Sequence, residues 1–119
     1  MEWEGVNGYV NNCSFSCYSF YDGGAIYWTA DNGFVNNCTF SSTALKGGAI
    51  YFAGNNYLVV NSTFINNYGL NHGGAIYLDC DNCSIKNCSF INSEVGYYGG
   101  SLYFWYDSRI IGLLWVNFQ

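Results

Sequence analysis

Gly-Gly-Ala-Ile-Tyr occupies residues 23–27, 47–51 and 73–77, and Gly-Gly-Ser-Leu-Tyr follows at 99–103. The first glycines of these pairs, Gly23, Gly47, Gly73 and Gly99, are 24, 26 and 26 residues apart. A fixed period in this range is the mark of a solenoid, in which each repeat is one rung and buries its apolar face only against its neighbours.

The rest of the rung keeps the same register. Three residues after the first glycine stand Ile26, Ile50, Ile76 and Leu102, then Tyr27, Tyr51, Tyr77 and Tyr103, then Trp28, Phe52, Leu78 and Phe104. Asp31, Asn55, Asp81 and Asp107 come at +8, with Asn32, Asn56, Asn82 and Ser108 after them. Val35, Val59, Ile85 and Ile111 stand at +12. Asn37, Asn61 and Asn87 stand at +14, beside Cys38, Ser62 and Cys88, and Phe40, Phe64 and Phe90 follow at +17. The columns need no gap up to this point, and length variation is expected only between the Phe column and the next Gly-Gly. Rungs this short, rich in β-formers and broken by Gly and Asn, cannot hold a helix pair. Each therefore reads as one turn of a single-stranded parallel β-helix.

Residues two apart on a strand share a face. The Ile column and the Trp/Phe/Leu column should point inward, and the Tyr column between them outward. Asp/Asn-Asn at +8 and +9 should turn the chain. The Asn column at +14 lies out of phase with the inward Val and Phe. One residue in the left-handed region there restores the phase, and after Gly it is Asn that tolerates this conformation best. Asn12, Asn37, Asn61 and Asn87 should then hydrogen-bond to one another as a ladder.

"YVNNCSF" at 9–15 matches the second half of a rung, with Asn12 and Cys13 in the Asn and Cys columns. No Gly-Gly precedes it. At the other end, Ile111 keeps its place while Leu113 and Leu114 fall in the Asn and Cys columns. The expected organisation is one domain over 1–119, a partial coil at 1–22 and coils starting at 23, 47, 73 and 99. That makes four to five coils of 24–26 residues, read as an excerpt of a longer array because neither end offers a polar cap.

Composition limits the function. Three Lys+Arg against eight Asp+Glu give a formal charge of −5. So few cations leave little to neutralise phosphates, which argues against nucleic acid and anionic membrane surfaces. There is no run of eighteen apolar residues to insert in a membrane, and "MEWEGVNG" is not a secretory signal.

Gly-Gly-Ala-Ile combined with "FINN" at 64–67 resembles the repeat of chlamydial polymorphic outer-membrane proteins. "VNNCTF" followed by "GGAIY" is most similar to the adhesin-like surface proteins of methanogenic archaea and some bacteria. The Phe-x-x-Asn element is incomplete in "FSST" at 40–43 and "FINS" at 90–93. The resemblance spans nearly the whole chain. It implies a right-handed, pectate-lyase-like parallel β-helix, exported to the cell surface and engaged in adhesion.

Candidate sites follow from the columns. The outward Tyr27, Tyr51, Tyr77 and Tyr103 form the first candidate surface, since flat hydroxyl-edged rings suit sugar faces or protein partners; stabilisation of the sheet alone is the competing reading. The corner segments "SSTALK" at 41–46, "NNYGLNH" at 66–72 and "NSEVGYY" at 92–98 form the second. Cys13, Cys38 and Cys88 read as a stack of buried thiols. Cys80 and Cys83 read as a disulfide or a pair of free thiols, because a structural zinc needs two more ligands and His72 is the only histidine. The row Asp31, Asn55, Asp81 and Asp107 reads as a turn ladder, and Arg109, the one arginine, belongs to a different corner from His72. No catalytic residues, metal or cofactor are expected. Among the Asn-x-Ser/Thr sites, Asn82 on the turn is the one candidate glycan acceptor.

The expected function is a non-catalytic extracellular binding or structural module of a cell-surface adhesin, taking glycan or protein partners beside flanking repeats. The alternatives are a fragment of a polysaccharide lyase or glycosidase, or a stalk.

Overall fold

The structure, a computed structural model, describes residues 1–98, 100–104, 109–114 and 117–119, with the backbone alone for 109–114. The expectations placed on Gly99, Asp107 and Ser108 lie outside the described residues.

The chain climbs in successive rungs, each crossing three sheets. The first rung holds β1 (Glu2–Trp3), β2 (Tyr9–Asn11) and β3 (Ser14–Tyr18); the second holds β4 (Ile26–Trp28), β5 (Phe34–Asn36) and β6 (Thr39–Lys46). The third holds β7 (Ile50–Phe52), β8 (Leu58–Val60), β9 (Thr63–Ile65) and β10 (Tyr68–His72). The fourth holds β11 (Ile76–Leu78), β12 (Asp81–Lys86), β13 (Ser89–Ile91) and β14 (Glu94–Val95). The last described segments are β15 (Leu102–Phe104), β16 (Arg109–Leu114) and β17 (Asn117–Phe118). All pairs are parallel. The first sheet runs β1-β4-β7-β11-β15, the second β2-β5-β8-β12-β16, and the third joins β3, β6, β9, β10, β13, β14 and β17. Ile26, Ile50, Ile76 and Leu102 pair one above another, as do the four Tyr.

Three corners close each of the first three rungs, and each is made by a residue in the left-handed region; Asn66 (φ 55°) and Asn92 (φ 50°) add a further bend within the third sheet. Every non-glycine with positive φ among the described residues is Asn. Asn7, Asn32, Asn56 and Asn82 turn the chain from first sheet to second, and Asn12, Asn37, Asn61 and Asn87 from second to third, with φ between 50° and 64°. The expected left-handed Asn at +14 is thus present, and a second such column stands at +9. The third corner is Gly-Gly. Gly23 has φ 67°, and a Cβ on Gly48 would run into the carbonyl oxygen of Gly74. One glycine supplies the conformation and the next the close approach of two rungs.

The interior follows the inward columns. Ile26, Ile50, Ile76, Trp28, Leu78, Val35, Phe40, Phe64 and Phe90 have no exposed surface. The Phe rings stack from Phe15 through Phe40, Phe64 and Phe90 to Phe118 at centroid distances of 4.7–5.2 Å. Tyr57, at +10, is an unanticipated core residue. Its hydroxyl donates to the Ala30 carbonyl (2.7 Å), with the Trp28 carbonyl a longer alternative acceptor (3.1 Å), and accepts from the Gly54 N–H. Gly33 one rung below leaves the room: a Cβ there would meet both Trp28 and Tyr57.

The last rung corrects the reading of the C-terminal columns. The pairing offset is 26 at Leu78↔Phe104 and 28 at Ile85↔Leu113. Leu113 therefore takes the Val/Ile column in place of Ile111, and neither Leu113 nor Leu114 enters the Asn and Cys columns. Two extra residues between Phe104 and Arg109 cause the shift, so length variation is not confined to one corner. The offset stays at 28 beyond them, where Phe118 pairs with Phe90.

Candidate functional site

The Tyr column stacks on the outer face of the first sheet. Centroid distances are 5.0 Å for Tyr27–Tyr51, 4.6 Å for Tyr51–Tyr77 and 5.2 Å for Tyr77–Tyr103. The expectation of an open stripe needs correction at one position. Tyr77 is only 2% exposed, while Tyr27, Tyr51 and Tyr103 are half-buried.

What covers Tyr77 is a second column, one residue before each Gly-Gly: Asp22, Lys46, His72 and Tyr98. Its backbone is held rung to rung, since Gly23 N–H donates to the Lys46 carbonyl (2.8 Å), Gly47 N–H to that of His72 (3.0 Å) and Gly73 N–H to that of Tyr98 (3.2 Å). Lys46 Nζ sits 5.4 Å from the Tyr77 ring centre, a cation over an aromatic face. The His72 ring stacks on Tyr98 at 5.2 Å and meets Tyr103 edge-on at 4.6 Å. Column counting forward from Gly-Gly passes over these residues, but counting one place back from each pair finds them.

Asp22 Oδ1 and His72 Nδ1 are buried without a hydrogen-bond partner. Burial raises the Asp22 carboxyl above its ordinary range, against the opposing pull of Lys46 and His72. Burial lowers the His72 imidazole and Lys46 lowers it further, against the opposing pull of Asp22. The Tyr51 hydroxyl is pushed up to about 12, first by burial, then by the carboxylates of Asp22 and Asp79. Tyr77 is raised by burial and then by Tyr51 and Asp79. Two carboxylates from different columns therefore act on the same phenols. Arg109 begins β16 in the second sheet while His72 ends β10 in the third, so these two belong to different sheets.

The corner beside this column carries the most exposed aromatic side chains. Phe20 and Tyr21 are each 80% exposed, Tyr97 74%, Tyr18 69% and Tyr98 62%. Ser19, Tyr21, Asp22 and Tyr27 line an open cleft of about 460 Å³ together with Glu2 at the first rung. Tyr rings with carboxylates beside them can stack on a sugar face and accept its hydroxyl hydrogens.

The Asn column forms a side-chain ladder on the exposed edge. Asn37 Nδ2 donates to Asn12 Oδ1 (2.5 Å) and Asn87 Nδ2 to Asn61 Oδ1 (2.7 Å). The middle step departs from the expected column, because Asn61 Nδ2 donates to Asn36 Oδ1 (3.2 Å), and Asn36 Nδ2 donates in turn to Asn11 Oδ1 (2.8 Å). A second ladder joins Asn7, Asn32 and Asn56. In the acidic turn row, Asp31 accepts from the Asn55 N–H (2.8 Å) and Asn55 Oδ1 from that of Asp81 (2.9 Å). These carboxyl and amide oxygens tie turns together.

Cys38 and Cys88 are buried free thiols, with Ser62 between them and Cys13 half-buried below. Cys80 and Cys83 are joined by a disulfide, with their Cα atoms 6.5 Å apart. Asn82 between them is exposed, at φ 57°. Among the described residues no cluster of three or more His, Cys, Asp or Glu is placed to hold a metal ion. No described helix is long and apolar enough to cross a membrane.

The family model described as right handed beta helix region matches residues 2–112. No curated protein and no solved structure matches the chain.

Proposed function

Because the chain belongs to the right-handed β-helix family, we propose that it is a non-catalytic binding module of an exported, adhesin-like surface protein. The observation that carries this reading is the aromatic corner. Tyr18, Phe20, Tyr21, Tyr97 and Tyr98 project from a rigid stack beside the half-buried Tyr27 and Tyr51. Exposed aromatics gathered on one side of a scaffold suit recognition of glycans or protein partners.

The covering of Tyr77 moves the contact surface from the whole Tyr column to Tyr27, Tyr51 and the corner rings. The half-buried Asp22, which lines the cleft beside Tyr21 and Tyr27, adds a carboxylate at the edge of that surface.

Glycan-array binding tests the reading. Loss of signal in Tyr21→Ala and Tyr51→Ala, with retention in Leu58→Ala on the second sheet, supports it. A polysaccharide-active enzyme is the second reading, favoured by the Asp22–Lys46–His72 column next to Tyr51 and Tyr77. Release of reducing ends from acidic polysaccharides, lost in Asp22→Asn, would replace the first reading with the second.

A further inference from the structure

We infer that the bend of the third sheet in the third and fourth rungs is a saccharide-binding subsite, shaped for an uncharged sugar. The inference rests on the glycan-binding reading of this chain and adds a second contact place to the aromatic corner.

The bend has its cause in the register. Between the second and third rungs the pairing offset is 24 at Phe40↔Phe64 and 25 at Thr43↔Tyr68, so the third rung holds one residue more. Asn66, at φ 55°, separates β9 from β10 where β6 below runs on as one strand, and Asn92, at φ 50°, separates β13 from β14. Asn67 turns inward, where it holds the Ser42 N–H (2.7 Å) and the Phe40 carbonyl (3.0 Å). Asn66 and Asn92 are exposed. The chain continues on both sides of the bend, since β6 pairs with β10 below it and Asn92 N–H donates to the Gln119 carbonyl (3.0 Å) above it. It is therefore a lateral feature of the stack and not one of its ends.

The hollow of the bend is an open cleft of about 470 Å³ lined by Asn66, Asn67, Tyr68, Asn92 and Glu94. Asn66 and Asn92 follow each other in the left-handed conformation of the ladder residues, yet neither carboxamide is hydrogen-bonded to the other or to any described residue. Asn12 with Asn37, and Asn61 with Asn87, use the same groups on each other. A free carboxamide presents a donor and an acceptor side by side, which two neighbouring hydroxyls of a sugar ring satisfy. Tyr68 pairs with Glu94 in the next rung, setting an aromatic ring beside a carboxylate. The ring can cover the C–H face of a sugar, and the carboxylate accepts hydroxyl hydrogens. Among the described residues no cation lines the cleft, so Glu94 selects against uronates and other acidic sugars.

Tyr68 joins this subsite to the corner. It also lines a groove of about 120 Å³ with Tyr18, Phe20 and Leu70. An extended neutral oligosaccharide can therefore reach from the corner rings to the carboxamides.

Titration calorimetry of the whole chain is the test, with neutral oligosaccharides of glucose, mannose and N-acetylglucosamine and with oligogalacturonate as the acidic counterpart. Asn66→Gly combined with Asn92→Gly removes both carboxamides and keeps the left-handed backbone. Glu94→Ala is a second variant, should the glycines disturb folding, which circular dichroism reads. The expected result is binding of a neutral oligosaccharide, about tenfold weaker in the double variant and also weakened in Glu94→Ala. Oligogalacturonate should not bind, and its binding in preference to the neutral sugars overturns the inference. The inference also falls, and the corner reading stands, if Tyr21→Ala and Tyr51→Ala abolish binding while both cleft variants bind as the parent does. Loss confined to the cleft variants supports the inference and removes the corner reading. A folded parent that binds no neutral oligosaccharide overturns both. Binding that EDTA abolishes and Ca²⁺ restores overturns the inference too, by assigning the Asn and Glu oxygens to a cation.

Discussion

The Asn87 side-chain amide donates to the Asn61 carboxamide oxygen at 2.7 Å, across one rung of the solenoid. Both residues sit in the left-handed region, Asn61 at φ 51° and Asn87 at φ 50°. The same side chain thus tolerates the corner and ties it to the next corner. Asn61→Ala loses both roles, whereas Asn61→Gly loses only the hydrogen bonds. Left-handed backbone costs a non-glycine residue about 1–2 kcal/mol, and each exposed bond contributes about 0.5–1.5 kcal/mol. Urea unfolding should rank Asn61→Ala below Asn61→Gly by about 1 kcal/mol; equal losses would mean that backbone conformation is not what Asn supplies.

Asn67 is fully buried, accepts from Ser42 N–H (2.7 Å) and donates to the Phe40 carbonyl (3.0 Å). It is the final Asn of the Phe-x-x-Asn element at 64–67. Ser93 replaces it one rung up, and its buried Oγ has no partner. Removing a bonded buried group strands its partners, while removing an unbonded one strands nothing. Asn67→Ala should lower stability by about 2–3 kcal/mol, and Ser93→Ala should leave it unchanged or raise it slightly. Thermal melts of the two variants decide, and a destabilised Ser93→Ala would contradict the assignment.

Trp28 is wholly buried, and its Nε1–H has no hydrogen-bond partner. Its ring stacks on Trp3 at 5.2 Å and meets Tyr57 edge-on at 5.8 Å. Phe keeps the aromatic packing and removes the unpaired donor, so Trp28→Phe should stay within about 1 kcal/mol of the parent despite its lost volume. Trp28→Ala should cost about 3–5 kcal/mol. Denaturant midpoints at constant slope are the measurement.

Alkaline pH should unfold the protein. Burial raises the Cys88 thiol from 9.0 to about 11 and the Tyr51 hydroxyl from 10.0 to about 12. Both folded values lie above the unfolded ones, so the unfolded chain releases these protons first. The associated stability is complete below about pH 9 and is lost as pH rises through 9–12. A melting temperature that stays flat across that window would refute the burial of these groups. In the folded chain near neutral pH, iodoacetamide should modify exposed Cys17 quickly and spare buried Cys38 and Cys88, as mass spectrometry can read.

Column periodicity made the interior legible because each rung offers the same environment to the same position. Ile50 lies between Ile26 and Ile76, and Ile76 between Ile50 and Leu102, so the demand for residue size repeats at a fixed step. The Asn corners were readable for the same reason, since only a few residue types accept φ near 50°. Tyr57 was not readable in this way. It fills space that Gly33 leaves open, and a large residue over a small one breaks the repetition that column counting relies on. The last rung escaped too: two extra residues after Phe104 moved Leu113 into the column assigned to Ile111, and residue types alone did not reveal the shift.

Repetition in the chain was therefore enough to establish a parallel β-solenoid, its inward columns and its left-handed corners. Each of these depends on contacts between equivalent positions a fixed number of residues apart. What Tyr77 faces could not be obtained that way. Lys46 and His72 reach it from corner segments of unequal length, and their register with the Tyr column exists only once backbone hydrogen bonds align the Gly-Gly corners rung by rung. A regular column can be counted, but the cover over it has to be folded into place.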